Sequence, residues 1–307
     1  MTEEISGVAD HFFGCVPFES DFARCADCGS LVQMRPLTSE ALPRAYASYY
    51  THKQEHHGEI GRGLKGWLRH QYVASRFRQD SSALARFGAV AYRLAGGNWQ
   101  ETDAAYRFVP PAPARVLDYG CGSGAYLKSL KQLGYDVTGV DFDAHSIALS
   151  RASGLRAFAL DELPREEWHG RFDAITLGHV IEHVHDPASL LADLRGWLAE
   201  GGMVFIEAPN AQATGLDLFG KYWRGLEAPR HLAIPTIAGL EAILARAGLQ
   251  ITHRAVRRSV RPWMWDESLQ AMPESVRQKT LLAARNAPKL AAENAEFLTV
   301  VARPVPS

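Results

Sequence analysis

Long apolar runs are missing from this chain. No stretch approaches the roughly 18 consecutive apolar residues of a membrane-spanning helix, so no membrane association is expected. An excess of one charge is missing too. With 33 basic and 34 acidic residues the formal net charge is −1, which gives no global attraction to nucleic acid. Cysteine is scarce: Cys15, Cys25, Cys28 and Cys121 are the four present. Three of them crowd into the N-terminal region, which is not the pattern of a secreted disulfide scaffold. The opening Met1-Thr-Glu-Glu-Ile is acidic and lacks the apolar core of a signal peptide, so a cytoplasmic location is expected. Internal repeats and low-complexity segments are not seen. What is there is 307 residues with an apolar fraction of 47%, enough for one large domain or two modest ones with a sizeable core.

The most informative stretch runs from Arg115 to Asp141. An apolar strand (Val116, Leu117) enters a turn with glycines at 120, 122 and 124, where the backbone can take positive φ and approach a ligand. A helical pattern follows (Tyr126, Leu127, Leu130, Leu133) and ends at Gly134, as helix C-termini commonly do. A second apolar strand, Val137 to Val140, stops at Asp141. This is a βαβ unit with a glycine-rich first turn. Its acidic residue, about 20 positions on, is placed to accept hydrogen bonds from a ribose.

The spacing separates this turn from a dinucleotide site. A G-x-G-x-x-G turn sets a pyrophosphate on a helix N-terminus. Here the pattern is Gly120-x-Gly122-x-Gly124, preceded by Asp118. A carboxylate facing that turn repels a pyrophosphate and attracts a cation, so the ligand is expected to carry an ammonium or sulfonium group and a ribose. S-adenosylmethionine has both. Val116-Leu-Asp-Tyr-Gly-Cys-Gly-Ser-Gly124 and Gly139-Val-Asp-Phe-Asp143 resemble the first two motifs of the class I S-adenosylmethionine-dependent methyltransferases. The resemblance implies an α/β fold with a Rossmann-like, seven-stranded sheet. It also implies cofactor contacts at Asp118, Gly120, Gly122, Gly124, Asp141, Phe142, Leu160, Asp161 and His179. Cys121, inside the turn, reads as a small filler rather than a nucleophile.

Further residues of interest follow the later strands. In open α/β sheets ligands sit outside the carboxyl ends of strands. Phe172–Gly178 ends in His179-Val-Ile-Glu-His-Val-His-Asp-Pro187, similar to a Glu-His-Val-x-Asp-Pro run of the family. The next strand ends Glu207-Ala-Pro-Asn210, and Pro229-Arg-His-Leu232 resembles a motif of the polysaccharide and natural-product methyltransferases. A hydroxyl acceptor must lose its proton, and histidine suits that role near neutral pH. His231 is the first candidate base and His183 the second. Either also reads as a structural histidine. Glu182, Asn210, Trp223 and Arg230 are candidate substrate contacts, although Trp223 suits a core equally well.

The sequence divides into three parts: residues 1–45, 46–110 and 111–307. The first is loop-rich. Its Cys25-x-x-Cys28-Gly29 is a zinc-knuckle signature, and tetrahedral zinc needs four ligands. His11, Cys15, Cys25 and Cys28 would supply them, as in the small N-terminal zinc module of the family group just named. Three free thiols are the alternative. The second part is expected to form a helical lid, and Val109-Pro-Pro-Ala-Pro113 a stiff linker. That part holds a His52, Glu55, His56, His57 cluster that reads as solvated surface rather than metal ligands. It also holds seven basic residues against one acidic residue between Arg62 and Arg93, read as an outer face or as a dock for an acidic or phosphorylated partner. In the third part strands are expected near 115–118, 136–140, 155–159, 172–178, 202–207, 249–257 and 297–303, the last two as an antiparallel pair. Residues 258–295, with Trp263 and Trp265, are expected to form a helix pair facing the substrate.

The reading is therefore a methyltransferase acting on a hydroxyl of a small molecule, sugar or natural-product intermediate, free, phosphorylated or carrier-bound. Two alternatives remain: a zinc-ribbon interaction protein with an inactive methyltransferase-like domain, and an RNA or protein methyltransferase. Gly178-His-Val-Ile stands where methyltransferases of nucleobase amines carry Asp/Asn-Pro-Pro-Tyr, so a nucleic-acid partner is not expected.

Overall fold

The computed structural model describes residues 4–14, 18–38, 41–46 and 63–306. Among them the strands are β1 (Glu4–Ala9), β2 (Glu19–Arg24), β3 (Leu31–Gln33), β4 (Arg115–Tyr119), β5 (Asp136–Asp141), β6 (Arg156–Ala159), β7 (Phe172–Gly178), β8 (Leu198–Pro209), β9 (Ala233–Ile234), β10 (Leu249–Ala255) and β11 (Phe297–Pro304). They form two sheets, of order β1-β2-β3-β9 and β10-β11-β8-β7-β4-β5-β6. The larger sheet is the seven-stranded Rossmann-like sheet expected, with each strand within a few residues of its expected place. Val116, Leu117, Ala174 and Ile175 are fully buried, as apolar runs in parallel strands covered on both faces should be. β4 pairs in parallel with β5 and β7, and β5 with β6.

The chain folds as two compact units, and these do not follow the sequential division expected. One unit gathers 1–49, 179–192 and 206–300; the other gathers 50–178, 193–205 and 301–307. In the first unit the N-terminal segment is not loop-rich: β1, β2 and β3 form an antiparallel sheet that β9 completes. The register explains the long-range pairing. Leu31 of β3 sits opposite Ile234 of β9, and both are buried with Phe22, Trp223 and Leu226. The 258–295 segment does hold a helix pair, Val260–Ala271 and Glu274–Arg285. Met264 is buried in this same core, and Trp265 donates its indole N–H to Glu296 at 2.8 Å.

In the second unit the helix Gly63–Phe77 is not a free lid. Its Val73 and Phe77 are buried in one core with Val116, Leu127, Val137 and Phe205. Each such side chain contributes about 1.5–3 kcal/mol of burial, so the helix is tied to the sheet. Its Tyr72 hydroxyl donates to Asp103 at 2.7 Å, fixing the next helices against it. No helix among the described residues is long and apolar enough to cross a membrane.

Candidate active site

The glycine turn follows β4 in the second unit. Gly120, Gly122 and Gly124 all have positive φ, +85°, +52° and +82°. At Gly124 a Cβ would lie 2.3 Å from Leu155 Cδ1, so glycine is required for space as well as for φ. β5 presses equally close. A Cβ on Gly139 would meet Cys121 Sγ at 2.6 Å, which is why a small residue follows Gly120. Burial, then the charges of Asp118 and Asp141, push the Cys121 thiol well above its usual value. It stays protonated, in keeping with a filler role.

Asp141 closes the turn from the end of β5. Its Oδ2 accepts the Gly122 N–H at 2.8 Å and its Oδ1 accepts the Asp143 N–H at 2.9 Å. A carboxylate offers about four acceptor positions, so two remain for a ligand. Burial raises the Asp141 pKa, partly countered by the N–H groups of Asp143 and Gly122. Register then defines an edge beyond Asp141. Asp141 sits opposite Ala159 of β6, and the residues next in chain, Phe142 and Leu160, are large apolar side chains 55% and 41% exposed. Asp161 follows them, exposed.

Asp118 departs from expectation. Its buried carboxylate accepts from the Thr176 hydroxyl at 2.7 Å and is ion-paired with Arg107. The cation at Asp118 is therefore one the chain supplies itself. Arg107 has φ +54° and lies 4.0 Å over the Tyr126 ring. Nothing in the spacing of the sequence singles out Arg107, because it approaches from before the linker.

The first unit assembles the histidines. His179 directly follows β7 in the chain with φ +57°. It donates from Nδ1 to Glu182 Oε1 at 3.2 Å and packs edge-on against Phe297 at 4.5 Å. Burial disfavours its charge, but Glu182, through a hydrogen bond and its charge, and then Glu207 and Glu227 outweigh this and raise its pKa. Glu182 is fully buried, and Oε2 has no hydrogen-bond partner among the described residues. Burial raises the Glu182 pKa, but His179, His183 and His231 outweigh it, so the shift is downward.

His183 and His231 meet edge to face with ring centroids 4.7 Å apart. His231 Nδ1 lies 2.9 Å from Gly225 O, and His183 Nδ1 lies 3.0 Å from both Arg230 O and the Tyr46 hydroxyl. A carbonyl only accepts, so each ring donates from Nδ1. Burial brings His231 down to about 4, with His183 acting in the same direction and Glu227 and Glu182 opposing. The ring is neutral at pH 7.

Three expected substrate contacts do other work. Trp223 is fully buried and donates Nε1 to Glu296 Oε2 at 2.8 Å. Asn210 spends its amide on Glu293 O and Ala295 O, both at 2.9 Å, and accepts from Gln212 N. Arg230 forms a two-pronged pair with Asp10, at 3.1 and 2.8 Å, and donates to Ala45 O. Of that group Glu182 alone keeps an unused polar atom among the described contacts. Glu207, which the sequence marked only as a strand end, accepts from Arg257 at 3.0 and 2.8 Å and from Thr299 at 2.9 Å.

The proposed zinc ligands are not brought together as expected. Cys15 lies outside the described residues, as does the His52–His57 cluster. His11 packs 5.0 Å from the Tyr222 ring. It does not form a three-ligand group with Cys25 and Cys28 among the described residues. Cys25 and Cys28 themselves sit on the turn between β2 and β3. The N–H groups of Cys28 and Asp27 and the Cys28 thiol lower the Cys25 thiol pKa.

Parts of the chain are similar to known proteins. Two curated relatives are both named ubiquinone biosynthesis O-methyltransferase. The one from Bordetella avium is 36% identical over 104 residues, 31% of this chain and 43% of that protein. The one from Xanthomonas axonopodis pv. citri is 34% identical over 157 residues, 46% of this chain and 64% of that protein. The chain thus spans less than two-thirds of the length of either relative. A solved structure of the Burkholderia thailandensis 1,6-didemethyltoxoflavin-N1-methyltransferase, with bound 1,6-didemethyltoxoflavin and S-adenosylhomocysteine, is 17% identical. The similarity covers 92% of this chain and 97% of that one, with a TM-score of 0.43. Residues 90–254, more than half of the chain, match a family described as methyltransferase domain. The chain belongs to that methyltransferase-domain family.

Proposed function

We propose that this protein transfers the methyl group of S-adenosylmethionine to a hydroxyl oxygen of a small molecule, such as a sugar or natural-product intermediate. The observation that carries this reading is the turn 120–124 closed by Asp141, with Phe142 and Leu160 exposed beside it. Two free acceptor positions on Asp141 suit ribose hydroxyls, and the two apolar side chains suit the faces of an adenine. S-adenosylmethionine supplies an electrophilic methyl: a C–O bond forms as the C–S bond breaks, and S-adenosylhomocysteine leaves. The chain's own part is to position the acceptor and take its proton. His231 Nε2 is the first candidate, because its Nδ1 proton is committed to Gly225 O; His183 Nε2 is the second. Proton transfer to a placed base contributes about 10²–10⁴-fold. The names of the relatives favour oxygen over nitrogen as acceptor.

The cysteine turn supports a second, separate element of the proposal. Cys25 and Cys28, together with Cys15, would give three thiolates to a structural zinc, with a fourth ligand other than His11.

The acceptor class is tested with methyl-labelled S-adenosylmethionine and three sets of small molecules: phenols, sugars and amines. The expected outcome is label on an oxygen in step with S-adenosylhomocysteine release. Label on amines alone contradicts the hydroxyl reading.

A further inference from the structure

Three groups of the first unit converge with metal-ligating atoms close together. Glu182, His183 and His231 each offer one ligand atom, and these atoms lie within 4.8 Å of one another. His231 Nε2 is 3.9 Å from Glu182 Oε1, with side-chain exposures of 4% and 0%. Each ring donates from Nδ1 to a backbone carbonyl, at 2.9 and 3.0 Å, so Nε2 is the nitrogen each has left for a ligand, and on the neutral His231 it carries a lone pair. Glu182 Oε2, fully buried, has no hydrogen-bond partner among the described residues. A buried acceptor left unmatched costs about 1–3 kcal/mol, and acceptors facing acceptors add repulsion. A cation removes both penalties.

We propose that Glu182, His183 and His231 form a binding site for a divalent transition-metal ion. Two imidazoles and one carboxylate are borderline nitrogen and oxygen donors. Such a set suits manganese, iron, cobalt or zinc, and three protein ligands leave coordination positions open. The backbone carbonyls of Gly225 and Arg230 complete the pattern, because a metal-ligating histidine is oriented by what its other nitrogen donates to. Arg230 is itself held by Asp10 and Ala45, so its carbonyl is a fixed point. The role of the ion rests on the methyl-transfer reading. A bound cation acidifies an acceptor hydroxyl, the proton then passes to solvent, and His231 acts as ligand rather than base.

Manganese is the probe, since it favours oxygen and nitrogen over the thiolates of Cys25 and Cys28. Metal-free protein is titrated with Mn²⁺, following loss of the free-ion electron paramagnetic resonance signal and the rise in melting temperature. One ion per chain is expected, in the wild type and in the Cys25→Ser, Cys28→Ser double variant alike. Glu182→Gln and His183→Gln are each expected to weaken binding by more than the roughly 10–100-fold that loss of an outer partner costs. His183, half-buried, serves if the Glu182 variant does not fold. No uptake by the wild type, or equal uptake by His183→Gln, overturns the site. Binding is read without cofactor or acceptor, so its failure and a failure of methyl transfer are separate results.

Discussion

His231→Ala is expected to slow methyl transfer by about 10²–10⁴-fold while leaving S-adenosylmethionine affinity nearly unchanged. The two effects separate because the candidate cofactor contacts, Asp141, Phe142 and Leu160, are not among the partners of His231, which are Gly225, Glu182 and His183. Its ring is neutral, with Nε2 free of a proton. Alanine removes that lone pair whether it takes a proton or holds a cation. Added Mn²⁺ distinguishes the two: partial recovery marks a ligand, and no recovery marks a base. His183→Ala is the paired control. A rate loss confined to His183→Ala moves the key group to His183. Unchanged turnover in both variants leaves positioning alone as the source of rate, and the hydroxyl reading falls.

Arg230→Met is expected to destabilise the fold by about 3–5 kcal/mol, the cost of breaking a buried ion pair from one side. Methionine keeps the apolar stem. What is lost is the two-pronged pair with Asp10, whose side chains are 0% and 2% exposed, and the hydrogen bond to Ala45 O. The Asp10 carboxylate then stays buried without this cation. Urea unfolding of the two proteins measures the difference. The double variant Arg230→Met, Asp10→Asn should recover part of it, since replacing both partners is less costly than removing one. A change below about 1 kcal/mol would place Arg230 among weak surface pairs and return it to the substrate side. Because the Arg230 carbonyl meets His183 Nδ1, the single variant should also disturb the histidine pair.

What the sequence made legible was local and periodic. The glycines at 120, 122 and 124 dictate their own φ values, Asp141 sits at a strand end, and alternating strands and helices imply the parallel sheet. Phe142 and Leu160 each follow the end of a paired strand, because parallel register sets Asp141 of β5 opposite Ala159 of β6. What was not legible came from distance in sequence. Arg107 reaches Asp118 through an irregular loop with positive φ, a conformation that no spacing rule announces. The N-terminal segment looked like a separate module because its closing strand, β9, is two residues long and some 200 positions away. From sequence alone Trp223, Arg230 and Asn210 suit substrate contacts, since they lie in segments that follow the later strands. The structure instead gives each a full set of buried partners, Glu296, Asp10 and the 293–295 backbone. The histidines were found by motif, but their shared protonation pattern depends on the Gly225 and Arg230 carbonyls, which only the folded chain provides.

The central claim is that the 120–124 turn and Asp141 bind S-adenosylmethionine. Isothermal titration of S-adenosylmethionine into the wild type and Asp141→Ala tests it most directly. One site per chain is expected in the wild type. Loss of the carboxylate's hydrogen bonds should weaken binding by about 1.5–3 kcal/mol, the range for hydrogen bonds to a charged group. Absence of binding to the wild type, or equal affinity in the variant, would contradict the account.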